Sequence, residues 1–375
     1  MAASMSREGP AGSRSVSSAC RLLALLVLAL PGPAAAAEVN VMPLPFRVGE
    51  FRGPDSYLSR IAPTADPALR RPGREGPLAL AWGEGGAAAL VLADGEASAI
   101  PLRGNPAGLG ERPNEAIPHA RQAASGAIKT YLASPRTDYA HGVLGDAVEA
   151  GTLVIEERRP VQAGAGVQKV PVTVTRLEAG PDAVYEDLEP RLVDLDRDGV
   201  PEVLVVRSTK SGGATLVVAG RRDGAWRIVA ETPPIGTPGR WLNPGPVADF
   251  DRDGKTDVVV VRTPHIDGRL QIWTWDAGAL RLTHEKAGYS SHALGSTALD
   301  NAAAVDLDGD GTPEIVVPTL DRRSLAVLAV RDGIEERARI ALPSPAGRGL
   351  AVLGTGRAAR ILVALEDGRL VVVKP

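Results

Sequence analysis

The chain has 375 residues, and its 42 Lys and Arg residues nearly balance 45 Asp and Glu residues, for a formal net charge of −3. This balance excludes the strongly basic surface that is typical of nucleic-acid-binding proteins, so no nucleic-acid partner is expected. With 42 Gly and 31 Pro residues, the composition favours many short strands joined by turns.

The first 37 residues have the pattern of a cleaved export signal. An apolar run at 22–30 is followed by three alanines at 35–37, which predicts cleavage before Glu38. Three basic residues precede the run: Arg7, Arg14 and Arg21. The run has nine residues, whereas a membrane-spanning helix needs about 20. We therefore expect a periplasmic or secreted protein with no membrane span after signal cleavage; a retained membrane anchor is the alternative.

The only cysteine, Cys20, lies before the apolar run of the signal. A lipoprotein cysteine would follow that run, so Cys20 does not predict a lipid anchor. Cleavage would leave a chain without any thiol. Disulfides, cysteine catalysis and cysteine-ligated zinc are therefore excluded in the exported form.

A repeat dominates the chain after an irregular lead-in at 38–75. Three units begin at Asp194, Asp249 and Asp306, which gives spacings of 55 and 57 residues. In each unit a short aspartate-rich loop is followed by three β-branched or apolar runs, the last two joined by a turn that contains Asp and Gly. Such units predict the blades of a β-propeller. The runs are too short and too β-branched for a helical solenoid.

Weaker copies of the unit flank these three repeats. The metal-loop repeats span 190–342, and degenerate blades are predicted at 76–189 and 343–375, so that the propeller domain covers 76–375. First strands can be counted for six blades, and the long interval between 102 and 151 leaves room for a seventh. The prediction is an all-β propeller of six to seven four-stranded blades, with a strand of the lead-in added to the last blade.

Each aspartate-rich loop places oxygen ligands at fixed positions. Positions 1, 3, 5 and 9 are acidic, position 6 is a glycine that permits a sharp bend, and position 7 offers its backbone carbonyl. The predicted metal ligands are Asp194, Asp196, Asp198, Val200 and Glu202; Asp249, Asp251, Asp253, Lys255 and Asp257; and Asp306, Asp308, Asp310, Thr312 and Glu314. Hard oxygen donors in a flexible loop favour Ca²⁺ over metals that prefer sulfur or imidazole.

Two other interpretations of these loops are a simple turn and a helix–loop–helix calcium site. A single copy is compatible with a simple aspartate-rich turn, but three copies in register favour a cation. A helix–loop–helix calcium site needs a glutamate at position 12 and flanking helices. Here that position holds valine, in Val205, Val260 and Val317, and β-forming residues follow each loop.

The three units resemble the FG-GAP/VCBS-type calcium-loop repeat of integrin α-subunit propellers and many secreted bacterial proteins. The resemblance covers about 190–342 and only the calcium-loop half of the motif, because the Phe-Gly and Gly-Ala-Pro elements are missing. It implies a propeller with calcium in loops between blade strands. The family has no single function, so the fold does not identify a role.

Other residues give weaker signals. The five histidines lack the spacing of a zinc site, and Ser290-Ser291-His292 lacks a nucleophile elbow. Trp273 and Trp275 share one strand face and favour core packing over sugar stacking. The segment 138–145 is interpreted as a turn, with lining of a central pocket as the alternative. No catalytic and no organic-cofactor residues are predicted.

These observations favour an exported calcium-binding protein that binds, or acts as a scaffold for, a protein or glycan partner. The alternative is an extracytoplasmic enzyme, a polysaccharide-active hydrolase or lyase with its site at the propeller axis. A third hypothesis is an assembly partner of a larger surface system without a small ligand.

Overall fold

The structure is a computed structural model, and it describes residues 37–66, 69, 76–110, 113–139, 141–159 and 170–375. The predicted export signal, 1–37, lies outside these residues except for Ala37. Within the described residues, the one α-helix has nine residues and is too short to cross a membrane. The other regular elements are almost all strands.

The strands are described in chain order. The first strand is β1 (Glu38–Met42). The next sheet has the order β2 (Glu50–Arg52), β3 (Ala79–Gly83), β4 (Gly86–Ala93) and β5 (Glu96–Pro101), and the helix α1 (Tyr57–Ala65) lies between its first two strands in sequence.

A nine-stranded sheet follows. It contains β6 (Ala123–Ser125), β7 (Ile128–Arg136), β8 (Glu149–Arg158), β9 (Val172–Glu178), β10 (Ala183–Tyr185), β11 (Arg191–Val193), β12 (Glu202–Thr209), β13 (Gly213–Arg222) and β14 (Ala225–Glu231). Antiparallel pairing divides it into two four-stranded units, β6 to β9 and β11 to β14, because the short β10 bridges β8 and β12.

Three further sheets each have four antiparallel strands. The first contains β15 (Leu242–Ala248), β16 (Asp257–Arg262), β17 (Arg269–Asp276) and β18 (Ala279–Ala287). The second contains β19 (Ala303–Val305), β20 (Glu314–Pro318), β21 (Ser324–Val330) and β22 (Ile334–Ala341). The last contains β23 (Ala346–Leu353), β24 (Arg360–Leu365) and β25 (Leu370–Lys374), completed by β1.

The described residues therefore form six four-stranded antiparallel units, and together they make a β-propeller. The interval between 102 and 151, where a seventh blade had room, holds β6 and β7, which pair into the same unit as β8. The inner strands of five units line one cavity of about 600 Å³, and the first unit contributes the segment 53–57 that follows β2. This arrangement places the cavity at the axis of the propeller.

The ends of the described propeller meet in the last sheet. β1 pairs with β25 in antiparallel register from Glu38↔Lys374 to Met42↔Leu370. The lead-in thus supplies the outer strand of one unit through β1 and the inner strand of another through β2. This pairing joins the two ends of the propeller and satisfies the backbone groups along one edge of β25.

Burial explains which sequence runs became middle strands. Val258–Val261 in β16 are fully buried, because both faces of this strand are covered by neighbouring units. The outer strand β9 instead alternates between exposed and half-buried residues. Trp273 and Trp275 are both buried, which confirms that they pack in the core.

Candidate functional site

The three aspartate-rich loops are hairpins between the first and second strands of consecutive units. They join β11 to β12, β15 to β16 and β19 to β20. The acid at position 9 is the first residue of the second strand, and it pairs with the residue directly before the loop: Val193↔Glu202, Ala248↔Asp257 and Val305↔Glu314. This pairing brings the two ends of each loop next to each other.

Each loop brings three carboxylates to one point. Positions 1, 3 and 9 offer oxygen atoms that all lie within 4.8 Å of one another. The three groups are Asp194, Asp196 and Glu202; Asp249, Asp251 and Asp257; and Asp306, Asp308 and Glu314. Clustered carboxylates at this separation can act together as ligands of one cation.

The position 9 carboxylate anchors each loop to the core. It is buried and accepts a hydrogen bond from the backbone N–H at position 2. The distances are 2.9 Å from Leu195 to Glu202, 3.1 Å from Phe250 to Asp257 and 2.9 Å from Leu307 to Glu314. Phe250 and Leu195 are themselves buried, so the hydrophobic core fixes the base of the carboxylate cluster.

The loop backbone is held by the same hydrogen bonds in all three copies. The N–H of the position 6 glycine donates to the position 1 carboxylate at 3.0 Å in each loop. These glycines have φ of 88°, 84° and 86°, a conformation that disfavours any residue with a Cβ atom. They are Gly199, Gly254 and Gly311.

Two buried oxygen atoms in the clusters lack a partner. Oδ1 of Asp194 and Oδ1 of Asp249 are buried and make no hydrogen bond with any residue that the structure describes. A buried carboxylate oxygen without a partner is costly, because it has lost its hydration and gained nothing in return. A cation in the cluster would supply that partner. The donor set therefore fits a divalent metal bound through oxygen.

The buried acids at position 9 of the loops have raised pKa values. Burial raises the pKa of Glu202 to about 7, and the nearby carboxylate of Asp196 adds to the increase. Burial likewise raises the pKa of Asp257 and of Glu314, with further contributions from neighbouring acids in the same loops. A bound divalent cation would reverse the direction of these shifts, because it favours the ionised carboxylates.

Positions 5 and 7 lie outside the three-carboxylate groups. Asp198, Asp253 and Asp310 each accept a hydrogen bond from the backbone N–H two residues later, at 2.7 to 2.8 Å. This bond turns one carboxylate oxygen toward the backbone of position 7, where Val200, Lys255 and Thr312 lie. The structure thus unites positions 1, 3 and 9 in one group, and links positions 5 and 7 to each other by a hydrogen bond.

Sequence reasoning missed a charged network at the axial cavity. The guanidinium of Arg121 lies 3.3 Å from Glu189 and 3.4 Å from Asp300. Burial raises the pKa of Glu189, and the carboxylate of Asp300 raises it further. The signal was present in the sequence, because Glu189 and Asp300 stand five and six residues ahead of their metal loops. Both carboxylates lie near Arg121 only because the closed propeller brings distant parts of the chain together.

The histidines form two small networks. His141, in the segment 138–145, lies 2.5 Å from Glu186 through Nδ1, which raises the pKa of His141. His265 Nε2 lies 2.9 Å from His292 Nδ1, and Nε2 of His292 lies 2.9 Å from the carbonyl of Ser296. Burial lowers the pKa of His265 to about 4 and of His292 to about 3, so both imidazoles are neutral at physiological pH.

The buried Ser290-Ser291-His292 segment does not form a nucleophile–base pair. The Ser290 hydroxyl donates to the carbonyl of His292, and Ser291 Oγ accepts from Asn243. The His292 imidazole instead bonds with His265 and Ser296. These bonds support the interpretation of the segment as a structural loop.

Comparison with known proteins identifies the repeat. Residues 194–260 and 249–317 match the FG-GAP-like repeat family, and these two matches contain all three metal loops. No curated protein matches the chain.

Several solved structures are similar to the chain at low identity. The N-terminal domain of Nup159 shows 11% identity and a TM-score of 0.38, over 79% of this chain and 72% of that chain. AofleA from Arthrobotrys oligospora shows 12% identity and a TM-score of 0.42, over 89% and 85%. A protein from Lactobacillus plantarum shows 15% identity and a TM-score of 0.37, over 79% and 80%.

Proposed function

We propose, from the premise that the chain is a β-propeller with FG-GAP-like repeats, that it is an exported calcium-binding protein that binds, or acts as a scaffold for, a protein or glycan partner. One observation carries the proposal. The same three-carboxylate cluster recurs in three consecutive units, and in two of the units it contains a buried oxygen without a hydrogen-bond partner.

Calcium would be held by the acids at positions 1, 3, 5 and 9 together with the carbonyl of position 7. Its chemical contribution is to neutralise carboxylates that otherwise repel one another across the loop. Because each cluster joins the first strand of a unit to the second, a bound ion would brace the inner part of three blades. An excess of calcium about 100-fold over Kd would add about 2.7 kcal/mol of stability per site.

Thermal unfolding tests the calcium sites. We expect the exported form, 38–375, to unfold at a higher temperature in calcium than in excess chelator. A variant with Asp194→Asn, Asp249→Asn and Asp306→Asn should lose this difference. Magnesium at the same concentration is the ion control. Identical unfolding of the wild type in calcium and in chelator would contradict the proposal.

The binding role needs a separate test. Immobilised protein would be screened against glycans, polyuronides and envelope proteins, with and without calcium, and both retention and cleavage would be measured. Calcium-dependent retention without cleavage is the expected result, since calcium would order the loops on one end of the propeller. Export is tested by N-terminal sequencing of the exported product, which should begin at Glu38.

An enzyme with its site at the propeller axis is the second candidate. The observation that favours it is the pair Glu189 and Asp300 at the axial cavity, because two facing carboxylates are the usual catalytic groups of glycoside hydrolysis. Both carboxylates are paired with Arg121, however, which gives them a structural role as well. Polysaccharide cleavage that is lost in Asp300→Asn and kept when the metal loops are altered would favour the enzyme.

A further inference from the structure

The arginine at position 4 of a metal loop reaches into the next loop along the chain. Nη2 of Arg252, in the second loop, lies 3.1 Å from Oδ1 of Asp310, in the third. Nη2 of Arg197, in the first loop, donates to the backbone carbonyl of Lys255, in the second, at 3.4 Å. The two contacts link the three loops in sequence order.

The contacts from an arginine at position 4 stop at the third loop, which is the last metal loop. The third loop has Gly309 at position 4 in place of arginine. The hairpin that follows it, 354–359, has no acidic residue, although it contacts the third loop through a hydrogen bond from Gly356 N–H to the carbonyl of Asp306. An arginine is therefore present at position 4 where another metal loop follows, and absent where none does.

Both targets of these arginines are atoms of predicted metal ligands. Asp310 is the position 5 carboxylate, and the carbonyl of Lys255 is the position 7 ligand. Oδ1 of Asp310 also accepts the N–H of Thr312 at 2.7 Å, so two donors orient the carboxylate through this one oxygen. Oδ2 takes part in neither bond. The hydrogen bond from Thr312 and the charge of Arg252 lower the pKa of Asp310.

The three loops share a left-handed backbone conformation at position 4. Arg197 and Arg252 have φ of 62° and 63°, in the left-handed region that Gly309 occupies without strain at 78°. Glycine would be the less strained residue at this position in all three loops. The backbone conformation therefore does not explain the two arginines, whereas their side-chain contacts with the next loop offer a reason.

We propose that Arg252 and Arg197 are positioning residues for the metal site of the following loop, and not for the loop that contains them. The proposal rests on the proposed calcium sites. Hydrogen bonds that orient a metal ligand from outside typically change metal affinity about 10- to 100-fold when they are removed. The Arg252–Asp310 pair is half-exposed, so we expect about a tenfold effect on the third loop. For Arg197, whose bond is longer, we expect about threefold on the second loop.

Calcium titration with one reporter per loop tests the proposal. The amides of Gly199, Gly254 and Gly311 each donate to the position 1 carboxylate of their own loop. In the exported form labelled with ¹⁵N-glycine, their resonances would follow calcium binding to each loop separately. Three apparent Kd values result from one titration.

Matched variants give the direction of the effect. Arg252→Met removes the guanidinium, and Arg252→Gly copies the third loop at the same φ. Both should weaken calcium binding at the Gly311 reporter about tenfold and leave the Gly199 reporter unchanged. Arg197→Met should act on the Gly254 reporter. The control is Arg337→Met, which removes an exposed arginine that forms an ion pair with Glu335 within β22.

The outcomes separate the proposal from its premise. An effect of Arg252→Met on its own loop, or an unchanged affinity at the Gly311 reporter, would overturn the positioning role while the calcium sites stand. If no glycine reporter of the wild type responds to calcium, the loops do not bind calcium. The positioning role of the arginines is then refuted as well. Far-ultraviolet circular dichroism of each variant in calcium confirms that the fold is retained.

Discussion

The buried carboxyl of Glu149, at the start of β8, makes the stability of the propeller depend on pH. Burial, followed by the nearby acids Glu186, Asp146 and Asp187, raises its pKa to about 9. Its Oε1 atom is buried without a hydrogen-bond partner. Because the folded pKa exceeds the unfolded value of about 4.3, this group stabilises the fold at low pH, and its contribution is lost as the pH rises toward 9.

Replacement by glutamine should remove this pH dependence. Between pH 5 and pH 8, the free energy of unfolding of the wild type should fall by about 4 kcal/mol relative to Glu149→Gln, at about 1.36 kcal/mol per pH unit. Denaturant unfolding followed by tryptophan fluorescence at several pH values, in saturating calcium, measures the difference. The exposed Glu335→Gln is the control. Parallel curves for the wild type and Glu149→Gln would refute a neutral, buried Glu149.

Further predictions concern the metal loops and the joined ends of the propeller. Phe250→Ala should destabilise the fold by about 3 to 5 kcal/mol, because Phe250 is fully buried under the second loop; denaturant unfolding measures it, and a loss below about 1 kcal/mol would contradict the anchor role. Gly254→Ala should cost about 1 to 2 kcal/mol through its φ of 84°, and denaturant unfolding measures the loss. Deleting 38–42 should expose the edge of β25 and promote self-association, which light scattering detects. Chelator should speed hydrogen exchange in β16 and leave exchange in β24 unchanged.

The metal loops and the strands that follow them could be predicted because their signals are local. The aspartate spacing, the glycine at position 6 and the β-branched run after the loop all fall within about fifteen residues. The second metal loop shows this: Asp249 and Asp257 lie eight residues apart, and the β-branched run of β16 begins directly after them. Hairpin register then brings the ends of the loop together without any distant partner.

The parts that could not be predicted depend on distant pairing. β1 pairs with β25 across nearly the whole chain. No local pattern in Glu38–Met42 predicts which strand it pairs with. The strands β6 and β7, the first two of the unit β6 to β9, lie in an interval without a metal loop, so the repeat did not mark them. Likewise the pairing of Arg121 with Asp300 requires units on different sides of the axis to meet.

Different units of the propeller have different structures in the connection between their first two strands. The three metal loops lie in consecutive units, from β11 to β22, whereas the first unit has α1 in the corresponding connection and the last is completed by β1. In the first unit, α1 is fastened by Arg60, which donates to the carbonyl of Ala124 in the neighbouring unit. Where a metal loop is present, the inner hairpin instead ends in carboxylates that repel one another. In the proposed sites a bound cation would offset this repulsion, so calcium should control the order of this part of the propeller and leave the joined ends intact.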